Sequence, residues 1–378
     1  MICLFEDRIA GRALRLGRRV GRFAVHRRED LAQAWEVIAA AQARGQWLAL
    51  LLDYELGWWL EPGLARQVSD RSARPLLTVL IHEDAQWQAP LPLPDDGGAS
   101  LEQLTRALNP RPGVTQADYL RTIGAIQAGI ARGDYYQINY TLPLALDWPR
   151  AGGHDIAHYQ ALASRHPVAY AACIQDGDRA VLSLSPELFL QREGGVLRTR
   201  PMKGTAPRFA DPDRDQASAR ALQASEKNRA ENLMIVDLLR NDLGRVAAPG
   251  SVRVRSLFDL EAYPSVWTLT SSVEARAPDA PFSEILQALF PCGSVTGAPK
   301  IAAMRAIRAF EQRDRGIYCG SVGWMAPDGD FCLNVAIRTI EINRGVAAFG
   351  VGGGIVIDSD AAEEWEECWW KARVLRPS

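Results

Sequence analysis

The order of its elements places this chain in the α+β class with antiparallel sheets. Two observations carry that assignment. Short apolar, β-branched runs follow one another across turn signals, and strongly periodic helical stretches stand between groups of such runs rather than between every pair. A parallel sheet would instead need a helix after each strand.

Pro90 to Gly113 is rich in proline, glycine and aspartate and reads as a surface excursion. It separates an N-terminal part, residues 1–112, from a motif-dense part, residues 113–378, the two forming one compact unit. Thr115 then opens a helix with Asp118 in its first turn. Leu120, Ile123, Ile126 and Ile130 form its apolar stripe, and Gly133 ends it. A strand is predicted over residues 136–144, and further strands over 169–174, 180–185, 188–192, 252–257, 316–325, 331–342 and 346–357. Helices are predicted over 225–244 and 301–313, and another is predicted around Glu363 to Lys371.

Composition excludes several function classes. Lys and Arg number 43 against 45 Asp and Glu, a formal net charge of −2, so neither nucleic acid nor an anionic membrane is an expected partner. No apolar run approaches the roughly 20 residues of a membrane span, and the N-terminus lacks an apolar signal core, so the expected location is cytoplasmic. The six cysteines lack the paired spacing of a zinc site or redox dithiol and read as reduced, mostly buried thiols. The five histidines all lie at or before His166. Chemistry in the C-terminal half must therefore use carboxylates, lysines and backbone groups, and a metal there would be magnesium held by oxygen ligands.

Five blocks carry the chemistry. In Arg200-Pro201-Met202-Lys203-Gly204-Thr205-Ala206-Pro207-Arg208, prolines stiffen a basic loop around Lys203. Neighbouring cations disfavour an ammonium, so Arg200 and Arg208 favour a nucleophilic amine; a solvated basic loop is the alternative. In the 225–244 helix, Glu231 shares a stripe with Ile235 and Leu238, where a carboxylate needs a cation unless it merely answers the helix dipole. In the third block, Gly293 to Lys300, small residues and Pro299 precede a helix, an arrangement that suits either an anion or an ordinary helix entry. In the fourth, Tyr318 precedes an apolar strand containing Arg338, whose guanidinium needs a carboxylate, a phosphate or a structural ion pair. The fifth joins the glycines at 350 and 352–354 to a helix on which Glu364, Glu367 and Lys371 share a face, as a site or as a surface ladder.

Taken in order, these blocks resemble the chorismate-utilising enzymes, the family of the anthranilate, isochorismate, salicylate and aminodeoxychorismate synthases, from about Gln116 to Leu375. The resemblance implies large, mostly antiparallel sheets packed face to face with helices outside. Lys203 in Pro-Met-Lys-Gly-Thr is similar to the aminodeoxychorismate synthases, where anthranilate synthases carry alanine. Gln137 is similar to the ammonia-using members, where the water-using ones place a lysine base. Thr268 stands where many relatives have histidine.

Carried onto this sequence, the resemblance implies magnesium held by Glu231 and Glu367 with Glu364 nearby, and Glu187 as general acid. Tyr318, Arg338, the backbone at Gly353 and Gly354, and Lys371 would hold the enolpyruvyl carboxylate, and Thr296 would line the ring site. The implied reaction is magnesium-dependent amination of chorismate to 4-amino-4-deoxychorismate, on the way to p-aminobenzoate and folate, with Lys203 as nucleophile. Anthranilate synthesis, or a non-catalytic chorismate-binding subunit, is the alternative. Glutamine hydrolysis of the usual kind needs a cysteine with a histidine downstream, and Cys292 has none, so ammonia is expected from a separate glutamine amidotransferase subunit. Pyruvate removal is expected to need another enzyme.

Overall fold

A computed structural model of the chain describes residues 2–92, 108–148, 155–263 and 266–375. Of the proposed surface excursion, residues 93–107 lie outside the described residues. Among the described residues, two antiparallel sheets of ten strands each dominate the fold.

In the first sheet, the strand Gln137–Leu146 pairs on one side with the short Gly297–Ala298 and on the other with Val346–Ile355. The sheet continues through Thr339–Asn343, Arg179–Ser185 and Tyr170–Asp176 to Cys3–Asp7, Arg12–Leu16 and Ala85–Gln88. The second sheet begins at Met202–Pro207, passes through Val266–Arg276, Val196–Arg200, Leu188–Glu193, Phe331–Asn334 and Ser321–Met325, and ends at Trp47–Leu52, Leu77–His82 and Arg19–Val25. Strands from residues 1–112 thus extend both sheets: Cys3–Asp7 pairs with Tyr170–Asp176, and Trp47–Leu52 with Ser321–Met325.

Alternation along the strands builds the layers. Ala49 and Leu51 point into an apolar layer shared with Phe5, Leu14, Ala172, Ile174 and Val181 of the first sheet. Leu48, Leu50 and Leu52 of the same strand point the other way, toward the helices Asp30–Ala43, Glu226–Gly244 and Phe282–Leu289. On the far side of the first sheet, Ala171, Cys173 and Leu182 meet the helices Gln116–Ala131, Asp155–Arg165 and Ala361–Ala372. The result is the expected α+β arrangement of two sheets face to face with helices outside. Among the described residues, no helix is long and apolar enough to cross a membrane.

The helix start read at Thr115 is observed, and Ser225 supplies a second cap. The Thr115 side chain accepts the Asp118 N–H, and Ser225 accepts that of Asn228. Two strand assignments and one loop assignment need correction. Only Ser321–Met325 of the stretch 316–325 is strand, because residues 316–320 turn to exchange backbone bonds with Tyr54 and Ala336. The stretch 331–342 breaks after Asn334: Val335 donates to the Glu187 carbonyl, and Arg338 takes a left-handed φ of 49°. Arg338 is therefore at a junction and not inside an apolar strand. The supposed basic loop around Lys203 is an edge strand, paired with Val266–Arg276.

Leu51 is 1% exposed in the layer between the sheets. Leu51→Ala should lower unfolding stability by about 2–5 kcal/mol, read from the urea midpoint.

Candidate active site

A cavity of about 270 Å³ lies where the starting ends of the two sheets face each other. Its walls bring together Glu187, Lys203, Glu231, Tyr318, Arg338, Gly353, Gly354, Glu364, Glu367 and Lys371. A larger cavity of about 520 Å³ elsewhere between the sheets holds none of these.

Lys203 reaches the cavity through an irregularity. The pairing of Met202–Pro207 with its neighbour shifts register between Met202 and Thr205, and Gly204 inside the shift has φ 90°. A side chain on Gly204 would meet Asn228 at 3.1 Å, and the Gly204 carbonyl accepts the Thr268 hydroxyl at 3.0 Å. The arginines flanking Lys203 are neutralised: Arg200 pairs with Glu261, and Arg208 with Asp215 at 2.9 Å. The expectation that they act on Lys203 as free neighbouring charges is therefore corrected.

Glu187 sits in the crossover from Arg179–Ser185 in one sheet to Leu188–Glu193 in the other. Both of its backbone groups are held, the N–H by the Ser185 hydroxyl at 3.2 Å and the carbonyl by the Val335 N–H at 3.0 Å. The side chain is buried, and among the described residues its Oε1 has no partner. Burial pushes the carboxyl up to about 7 from an ordinary 4.5, against the opposing pull of the Ser294 hydroxyl, Lys203 and the Met202 N–H. Near neutral pH this group retains a proton to give.

Two helices supply the remaining carboxylates. Glu231 projects from Glu226–Gly244, and among the described residues its side chain makes no hydrogen bond and no ion pair within 4 Å. Burial holds it above the usual carboxylate range, Lys203 and Lys227 pull it down, and Glu367 pushes it up. Helix Ala361–Ala372, capped by Asp360, presents Glu364, Glu367 and Lys371. Lys371 Nζ bonds Glu367 Oε1 and the Gly352 carbonyl, each at 2.6 Å, and Glu367 is held low chiefly by that ammonium. Glu364 accepts the Ser359 hydroxyl at 2.8 Å and is raised by burial and then by Glu367.

These three glutamates are hard oxygen donors around one space, as magnesium requires. Among the described residues, however, no three His, Cys, Asp or Glu side chains stand close enough to hold a metal ion together. Magnesium needs only one or two protein carboxylates when substrate and water complete its shell, so the donor set fits that ion.

Arg338 faces the cavity without an anion. Burial lowers its basicity, and among the described residues it forms no ion pair and no side-chain hydrogen bond. The structural ion pair is thus absent, and a ligand carboxylate would complete it. The glycine strand makes room for its neighbours: a Cβ on Gly350 would stand 2.2 Å from the Tyr318 ring. One on Gly354 would stand 2.1 Å from Gln137 Nε2 and 2.9 Å from Lys203 Nζ.

Two expected residues do not line the cavity. Gln137 is 1% exposed and lies behind Gly354, and among the described residues neither end of its amide has a partner. The Thr296 hydroxyl turns back onto the Cys292 and Gly293 carbonyls, at 3.1 Å each. The anion site considered for the third block is also filled from within. Its Val295 and Thr296 N–H groups bond the Cys292 and Gly293 carbonyls, and Lys300 bonds Asp242 at 2.5 Å. Lys227, Asn228, Asn139 and Ser294 line the cavity and were not singled out from the sequence. Of these, only Lys227 carried a signal, one helical turn before Glu231.

The profile of the chorismate binding enzyme family matches residues 82–377. The chain belongs to that family. Aminodeoxychorismate synthase component 1 of Salmonella typhimurium is 41% identical over 266 residues, covering 70% of this chain and 58% of the relative. Anthranilate synthase component 1 of Streptomyces coelicolor is 39% identical over 264 residues, covering 69% of this chain and 51% of the relative. The aligned part thus spans little more than half of either relative. The crystal structure of anthranilate synthase component I from Streptococcus pneumoniae superposes with a TM-score of 0.81 at 25% identity, covering 97% of this chain and 92% of that one.

Glu187 gives a signed prediction about stability. Its folded value near 7 lies above the ordinary 4.5, so the folded state binds the proton more tightly and stability falls as pH rises from about 4.5 to about 7. Relative to the parent, Glu187→Gln should gain roughly 3 kcal/mol across that window and nothing further above it, read from urea unfolding of both proteins at pH 5, 7 and 8.

Proposed function

We propose that this chain aminates chorismate to 4-amino-4-deoxychorismate. The observation that carries the proposal is the pairing, in one cavity, of a buried acid that keeps its proton near neutrality with a lysine near enough for its charge to act on that acid. The relative named aminodeoxychorismate synthase component 1 supports the choice of reaction, and Lys203 distinguishes the site from an anthranilate-forming one.

Chorismate brings two carboxylates and a ring hydroxyl that leaves poorly unless protonated. Arg338, Tyr318, Lys371 and the backbone at Gly353 and Gly354 bind the enolpyruvyl carboxylate, and the unpaired Arg338 guanidinium supplies the two-pronged contact. Glu231 and Glu367 would hold magnesium, with Glu364 beside them, and the bound ion would draw electron density from the ring through its carboxylate.

Glu187 passes its proton to the hydroxyl, which departs as water while the Lys203 amine bonds to the ring. Ammonia then attacks the carbon that lost the hydroxyl, and the Lys203 amine leaves. The incoming nitrogen returns a proton to Glu187, so the balance is chorismate plus ammonia to product plus water. The pyruvyl group stays in place.

Ammonia comes from a separate glutamine amidotransferase subunit. Glutamine hydrolysis needs a reactive thiolate, and the described cysteines are thiols made inert by burial: Cys292 is pushed up to about 12, and its thiol lies 3.2 Å from the Ser294 hydroxyl. We place this reaction in the cytoplasm, on the way to p-aminobenzoate and folate.

Mass spectrometry of the product from chorismate, magnesium and an ammonium salt should show amino-for-hydroxyl exchange with pyruvyl retained. Lys203→Ala should lose most of that product. Anthranilate formation, or tight chorismate binding without turnover, would overturn the proposal. Glu187→Gln should slow turnover by about 10²–10⁴-fold. The parent rate should fall as pH rises through about 7, because Glu187 then loses the proton it donates.

A further inference from the structure

Residues 53–57 lie outside the part matched by the family, which begins at residue 82, yet they press on the backs of several cavity walls. The buried Glu55 carboxylate accepts the N–H groups of Arg315 at 2.6 Å and Gly316 at 3.0 Å. The Tyr54 N–H donates to the Gly316 carbonyl at 2.7 Å. Arg315 lies over the Tyr54 ring, 4.5 Å from its centroid, with its side chain almost wholly buried. Its guanidinium donates to the Val295 carbonyl at 2.9 Å, the Asn139 carbonyl at 2.6 Å and both oxygens of Glu311. Asn139, Val295 and Tyr318, two residues beyond Gly316, all face the cavity. Gly57 completes the contact: a Cβ there would stand 2.4 Å from the Pro291 ring, just before the turn that carries Ser294.

We infer that Glu55, Tyr54 and Arg315 are positioning residues, and that residues 53–57 buttress the active site by fixing Asn139, the Ser294 turn and Tyr318 relative to one another. A planar guanidinium whose donors are spent on two wall carbonyls and a carboxylate permits one arrangement of those walls. Movement of either wall would strand a buried charged donor, so the network transmits rigidity from the N-terminal segment to the cavity. The carboxylate at 55 matters because it takes two backbone N–H groups at once. Glutamine would turn an NH₂ toward one of them.

The test compares the parent with Glu55→Gln, Gly57→Ala and Ile38→Ala. Ile38 is on the buried face of helix Asp30–Ala43 and lines neither cavity, so its variant reports general loss of stability. Hydrogen exchange should speed by about tenfold at residues 293–296 and 316–320 in Glu55→Gln and Gly57→Ala but not in Ile38→Ala. The KM for chorismate should rise about fivefold in the same two variants, with kcat changed by less than about twofold. Unchanged exchange at those segments, or an equal rise in Ile38→Ala, would show the segment to be merely structural. The kinetic arm rests on the proposed function, whereas the exchange arm does not. Local exchange that rises as expected in the two variants, with a parent that leaves chorismate unchanged, would sink that function and leave the buttress standing. Gly57→Ala carries the same comparison if Glu55→Gln does not fold.

Discussion

The sheets share an apolar layer, bordered by the larger cavity, and away from it they face each other across the smaller polar cavity; this division organises the molecule. Phe5, Leu14, Ala49, Leu51, Leu80 and Val181 interlock between the sheets. Toward Gln137–Leu146 and Met202–Pro207, the facing positions instead carry Asn139, Lys203, Thr268 and glycines. Apolar packing in that layer holds the sheets at a fixed separation, so polar groups away from it face a gap they do not have to fill. Glu187 profits directly, since it stands on the crossover between the sheets and its backbone is fixed by both neighbours.

The charges around the gap are left incomplete. Lys371 is matched by Glu367, but among the described residues Arg338 has no anion, and burial raises both Glu231 and Glu364. Unpaired groups of both signs in one buried space are costly unless a ligand answers them. A dianion bound with a divalent cation answers both at once, because the metal relieves the glutamates while the second carboxylate meets Arg338. The Glu187 proton fits the same balance. A fourth carboxylate charge there would add to the repulsion, and desolvation prevents it.

Much of this was legible locally. Thr115 and Ser225 cap helices because their hydroxyls accept N–H groups three residues on, and the spacing of Glu364, Glu367 and Lys371 placed them on one face. Arg338 was misassigned because an apolar run conceals a residue at φ 49° whose neighbours bond to Gly320 and Glu187. Arg200 and Arg208 misled in the same way: their partners, Glu261 and Asp215, come from other elements. The Glu55–Arg315 contact spans 260 positions, and nothing in either local sequence marks it. Periodicity reports faces and caps report ends, but neither reports what a buried charge meets across the fold.

Position 203 shows how the scaffold sets chemistry. A lysine in regular strand would alternate between the two faces of the sheet, and one in a mobile loop would lose much of its reach to entropy. Here the shifted register between Met202 and Thr205 re-aims one side chain, while Thr268 fixes the Gly204 carbonyl and Asn228 closes the space behind it. Lys203 Nζ comes to rest against Gly354, beside the unpartnered Gln137 amide. Any side chain at 354 would expel both. The glycine strand of one sheet and the bulged edge strand of the other therefore have to be read together, because each leaves the space that the other's functional group occupies.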